Sequence, residues 1–119
     1  MQRFTELKVW NRSHQLVLLI YRYACRFPAE ERYGLISQIR RAALSVPTNI
    51  AEGSKRRTAQ EYARFLNIAE GSLAETEYLL MVSRDLGYLN PDDAKSCIQE
   101  TGEIAKMLHV LRLKVERGR

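Results

Sequence analysis

A chain of 119 residues and 13.8 kDa is one domain's worth of protein, and at that mass folding hides about two-thirds of the surface the extended chain exposes. Its 45% hydrophobic and 28% charged residues exclude disordered and collagenous classes, and three prolines with six glycines leave little turn chemistry for a many-stranded sandwich or barrel. Nineteen Lys and Arg against fourteen Asp and Glu give a net charge of +5, a balance that favours polyanionic partners.

The expectation is one all-α domain over residues 1–119, an antiparallel up-down bundle of four helices. In the first, Val9, Leu16, Ile20, Tyr23, Ala24 and Phe27 fall at helical spacing, with Ser13 filling the step between Val9 and Leu16. Pro28 ends it. The longest apolar run in this region, residues 16–20, is five residues long, whereas a secretory core needs roughly 7–15 and a membrane span roughly 18. A cytoplasmic protein without membrane association is therefore expected. Cys25 and Cys97 lack any CxxC spacing, which fits reduced thiols.

The second helix is predicted over about residues 31–52, with Leu35, Ile36, Ile39, Ala42, Ala43, Val46 and Ile50 on one side and a kink at Pro47. Gly53 ends it. The third runs from Thr58 to about Leu86, with Tyr62, Phe65, Leu66, Ala69, Leu73, Thr76, Leu80 and Ser83 inward. Thr58 and Glu61 form a capping box, and Gly87 a left-handed cap. Asn90, Pro91, Asp92 and Asp93 open the fourth helix. Its stripe is Ala94, Cys97, Ile98, Thr101, Ile104, Ala105, Leu108, Leu111 and Val115. Short connections make the neighbours antiparallel.

Some apolar residues do not fit a monomer. Leu18 and Tyr21 on the first helix, and Tyr78 and Val82 on the third, point away from the stripes by 100° bookkeeping. Stacked at helical spacing, they predict a face that packs against another copy.

Charge supplies the functional lead. Residues 1–57 hold eleven Lys and Arg against four acids, while residues 58–119 hold eight against ten. Arg40 and Arg41 lie on the polar side of the second helix, Lys55, Arg56 and Arg57 form the following loop, and Arg64 lies one turn into the third helix. If the loop folds back against the same end, these six make one phosphate-binding patch, with Arg12, Arg22 and Arg26 extending it. Such contacts position a nucleic-acid backbone without reading its sequence. An acidic protein partner is the alternative ligand.

No enzyme signature competes. A di-iron bundle needs Glu-x-x-His pairs, and neither His14 nor His109 has a carboxylate three residues earlier. His14, His109, Cys25 and Cys97 lack paired-ligand spacing for zinc, and the run from Gly53 to Lys55 lacks the P-loop spacing. No cofactor or metal is expected.

The segment SQIRRAALSVPTNIAEG over residues 37–53 carries a resemblance, with EYARFL at 61–66, AEGS at 69–72, ETE at 75–77, LGYL at 86–89 and LKVW at 7–10. This series resembles the bacterial four-helix bundle family named after the intervening sequences of 23S ribosomal RNA genes. That family is similar to the accessory variability proteins of diversity-generating retroelements, barrel-shaped pentamers that bind nucleic acid and a reverse transcriptase. The resemblance implies a ring-like homo-oligomer, with five subunits, that contacts RNA or DNA. In the motif itself, Ser45, Asn49 and Glu52 are polar groups near the Pro47 bend, and these three with Glu70 and Ser72 are expected to be structural hydrogen-bonders. Gly53 ends the helix and Gly71 is expected to permit a tight contact midway along the third.

Overall fold

The computed structural model describes residues 3–118. Four helices carry the described chain: α1 (Lys8–Ala24), α2 (Leu35–Ser54), α3 (Ala59–Asp85) and α4 (Pro91–Glu116), with 3₁₀ turns at Phe4–Glu6 and Ala29–Glu31 and no strand among the described residues. Their boundaries follow local chemistry. The Thr58 hydroxyl accepts from the Glu61 amide at 3.1 Å, and the Asn90 side chain accepts from the Asp93 amide at 2.8 Å with Pro91 in the first turn. Gly87 takes φ +81°, and the Tyr88 amide returns to the Ser83 carbonyl, closing α3. The Glu31 carboxylate accepts from the Leu35 amide at 3.1 Å, so the segment predicted as the first turn of the second helix serves instead as its cap.

Cross-helix contacts fix the directions. Tyr21 meets Arg40, Ser45 meets Ser72, Glu70 meets Arg112 and Arg12 meets Glu100. Along α2, Gln38, Ser45 and Gly53 meet Glu75, Ser72 and Phe65 in turn, and along α1 Arg12 faces Glu100 while Tyr23 faces the earlier Asp93, so neighbouring helices are antiparallel and α1 closes against α4. The result is a rod of 45 × 25 × 20 Å with 7370 Å² of surface, above the roughly 6,600 Å² of a compact chain of this mass. One end, the α3 start, gathers the start of α1, the end of α2, the start of α3 and the end of α4.

The core is the aliphatic stripe of each helix, with Ile20, Ile39, Ile50, Leu66, Leu80, Ile104 and Leu108 the bulkiest fully enclosed residues. Ser13, Thr76, Ser83 and Thr101 are also buried. Each donates its hydroxyl to a carbonyl three or four residues earlier, so none costs an unsatisfied group. The phase of the stripes differs from expectation: Val17 and Ala63 join the core while Phe65 stays outside it. Val82 turns partly inward and packs against the core, Leu79 is buried beside Leu80, and Ala105 is exposed next to the buried Ile104.

The glycine roles also change. The second helix continues two residues past its predicted end, so Gly53 is a buried residue in its last turn. A Cβ there would lie 2.7 Å from Phe65 Cβ and 3.0 Å from the Tyr62 ring, so Gly53 lets α3 cross against α2. Gly71 has open space where a Cβ would go. The chain stays helical through Pro47, which is buried. The carbonyls ahead of it accept from side chains: Thr48 donates to the Leu44 carbonyl and Asn49 to that of Ser45, both at 2.8 Å.

The two glycines therefore respond oppositely to alanine. Gly53→Ala is expected to lower stability by about 1–3 kcal/mol through overpacking, while Gly71→Ala raises it by about 0.5–1 kcal/mol through helix propensity. Urea denaturation midpoints check both.

Candidate nucleic-acid interface

The six predicted basic residues do not form one patch. Arg40 and Arg41 sit near the start of α2, and at 1.5 Å per residue they stand roughly 21 Å along the helix from its end at Ser54. Arg40 is also committed elsewhere. Its guanidinium lies 4.8 Å from the Tyr21 ring centroid and donates to the Tyr21 carbonyl at 3.3 Å. Arg41 is exposed beside a separate polar groove that also holds Tyr33, Gln38 and Glu75. Arg64 borders a third hollow with Arg112 and Glu116.

Several other cations are neutralised. Glu100 holds Arg12 through two contacts, at 2.6 and 2.9 Å, and raises its pKa above the usual arginine range. Arg112 is clamped by Glu70 and by Glu116, whose hydrogen bonds likewise raise its pKa. Arg84 pairs with Asp85 at 2.9 Å. Arg12 therefore does not extend a basic surface.

Three of the six predicted residues stay together, at the α2–α3 connection. Lys55, Arg56 and Arg57 are exposed, and among the described residues none pairs with an acid. The turn is positioned from beneath, because Gly53 seats the end of α2 against Tyr62 and Phe65 and Thr58 caps α3 immediately after it. The Arg56 guanidinium lies 4.7 Å from the Phe65 ring centroid, a cation–π contact that leaves its fork at the surface. Arg56 and Arg57 border a hollow of about 370 Å³ whose lining also includes Leu7, Tyr62, Leu111 and Lys114 and no acid. Burial raises the pKa of the Tyr62 phenol. The first turn of α3 opens at Ala59 onto the same hollow, so the positive end of that helix reinforces the cations.

Lys114 is the functional candidate that sequence reasoning missed. It lies near the end of α4, 57 positions after Arg57 in the chain, and only the antiparallel topology brings the two to one hollow. The signal was its place in the last turn of the fourth helix, where any up-down bundle returns to the α2–α3 loop.

The remaining expected residues fall into two groups. Ser45 Oγ lies 2.8 Å from Ser72 Oγ and accepts from Asn49 Nδ2 at 2.9 Å, tying α2 to α3. Glu52 is exposed and lies outside this cluster, so the Pro47 segment is held without it. Of the outward apolar set, Leu18 is 40% and Tyr78 63% exposed. Tyr21 is partly covered by Arg40, and Met81 takes the place expected for Val82 beside Tyr78. The four residues weighed for zinc do not converge. His14 stacks on Trp10, His109 faces Glu70, Cys25 is exposed and Cys97 is buried, and among the described residues no metal-holding cluster occurs. Among the described residues no helix is long and apolar enough to cross a membrane.

Residues 5–110 match the 23S rRNA-intervening sequence protein family. The fold is similar to the crystal structure, at 1.70 Å, of a protein with unknown function from the S23 ribosomal protein family from Bacteroides thetaiotaomicron VPI-5482. The TM-score is 0.78 at 24% identity, over 87% of this chain and 97% of that one. No curated protein matches the chain.

The two thiols differ enough to be separated chemically. Burial pushes the Cys97 thiol up to about 11, away from its reactive thiolate form, whereas Cys25 is exposed. A disulfide-exchange reagent at pH 8 should titrate one thiol per native chain and two after denaturation, and Cys25→Ser should remove the fast reaction.

Proposed function

The chain belongs to the 23S rRNA-intervening sequence protein family, and from that premise we propose that it is a non-enzymatic, self-associating bundle that binds RNA or DNA electrostatically. The observation that carries this reading is the concentration of unneutralised cations at one end, Lys55, Arg56, Arg57 and Lys114, around a hollow with no acidic lining. Elsewhere the strongest arginine contacts go to carboxylates of the same chain. Arginine forks suit phosphate oxygens, and a helix start adds partial positive charge in the same direction. The contacts available from the rim are backbone contacts, which bind without reading bases. Ring assembly would repeat this end around an axis and multiply weak contacts by avidity.

Self-association is the second part of the proposal. Leu18 with Tyr21 on α1, and Tyr78 with Met81 on α3, lie three residues apart on exposed faces of helices that are not neighbours in the bundle. Two different patches on one molecule make a heterologous contact, which closes into a ring when the rotation permits.

Replacing both Arg56 and Arg57 with Glu should weaken RNA retention on filters about 10–100-fold near 0.1 M salt. The log–log salt slope should become shallower by about 1.4–1.8, as expected for two lost phosphate contacts. Retention that persists unchanged, or tight binding to an acidic protein with none to RNA, contradicts the reading. In sedimentation at micromolar concentration the protein should run as a multiple of 13.8 kDa, and Leu18→Asp with Tyr78→Asp should return it to the monomer.

A further inference from the structure

The cationic rim accounts for phosphate binding, yet the floor beneath it is apolar. Leu7, Tyr62, Leu111 and Val115 line the hollow under Arg56, Arg57 and Lys114. A second hollow of about 350 Å³ adjoins it, formed by Val9, Met107 and Val110 and sharing Leu7, Leu111 and Lys114 with the first. No acid lines either one. Both volumes fall within the roughly 300–1,000 Å³ typical of small-ligand sites. Val110 is 61% exposed although it is aliphatic and sits in the wall of the second hollow.

This combination discriminates between forms of nucleic acid. A duplex turns its phosphates and sugars outward and keeps its bases paired and stacked, so it can engage the rim and leaves the floor bare. A single strand can swing its bases aside onto apolar surface while its phosphates stay on the cations. Charge complementarity and an apolar floor together therefore fit an unpaired strand better than a paired one.

We propose, resting on the nucleic-acid reading above, that this end is a seat for single-stranded nucleic acid. Two consecutive bases occupy the two hollows, Lys114, which borders both, takes the phosphate between them, and Arg56 and Arg57 take one further phosphate each. The lining of the second hollow offers a lysine at either side and otherwise only apolar side chains, so the base seated there is held by contact area and its identity matters little. The Tyr62 ring, half-buried in the first hollow, provides the one aromatic surface of the pair.

The test compares full-length protein binding, by fluorescence anisotropy at about 0.15 M salt, to oligouridylate of about 12 nucleotides and to a hairpin duplex with the same number of phosphates. The single strand is expected to bind about tenfold tighter. Val110→Asn and Val110→Ser, both at an exposed position and neither altering charge, should each bring the two ligands to within about twofold without changing the salt slope. Lys114→Gln should make the single-strand slope shallower by about 0.7. Equal affinity for strand and duplex, or a preference that survives both Val110 variants, overturns the single-strand seat while the electrostatic reading stands. Failure to bind either ligand overturns both.

Discussion

The close crossing of α2 and α3 at Gly53 is the contact on which the functional end depends. Because residue 53 has no side chain, the backbone of α2 comes to within 2.7 Å of Phe65 Cβ, measured from where its own Cβ would stand. Phe65 and Tyr62 are thereby pinned beneath the turn that follows. Phe65 supports the Arg56 guanidinium, Tyr62 floors the hollow, and Thr58 starts α3 at once. A four-residue connection held this tightly has no room to retract its side chains, so Lys55, Arg56 and Arg57 project into solvent. The same crossing sets the register of α2 on α3, which the Ser45–Ser72–Asn49 cluster then locks further along.

The charge economy of the rod follows from its length. Along its sides, two long cationic side chains lie beside carboxylates on the neighbouring antiparallel helix and pair with them, Arg12 with Glu100 and Arg112 with Glu70. At the α2–α3 end the helices terminate, and among the described residues neither Arg56 nor Arg57 has an acid at ion-pair distance. Those exposed pairs contribute little to stability in any case. Their consequence is spatial, since they withdraw Arg12 and Arg112 from the free surface and leave Lys55, Arg56, Arg57 and Lys114 without an ion-pair partner at one tip.

Much of this was legible in the sequence because it is local. The caps at Thr58, Gly87 and Asn90 with Pro91 depend on neighbours within five residues, and the core stripes depend on a period that any helix obeys. The grouping of the arginines was not legible. Arg40 and Arg56 look adjacent on paper, but an uninterrupted α2 holds them far apart, while Lys114 joins Arg57 only through the antiparallel return of α4. Gly71 and Gly53 carry the same letter, and tertiary packing alone separates the exposed one from the one pressed against Phe65. Val82 and Ala105 differ from expectation for a further reason. In helices of 27 and 26 residues the contact line drifts relative to a fixed 100° stripe as the helix meets successive neighbours, so bookkeeping from one end loses phase at the other.

The proposed ligand contact lies at one tip of the rod and nowhere along its sides. Ultraviolet crosslinking of the full-length protein to a photoreactive RNA strand, followed by mass-spectrometric mapping of the attached peptides, addresses that placement without altering any residue. Adducts confined to residues 7–9, 54–64 and 106–117 are the predicted result. Adducts concentrated around Arg41 and Tyr33, on the groove toward the opposite end, would contradict it.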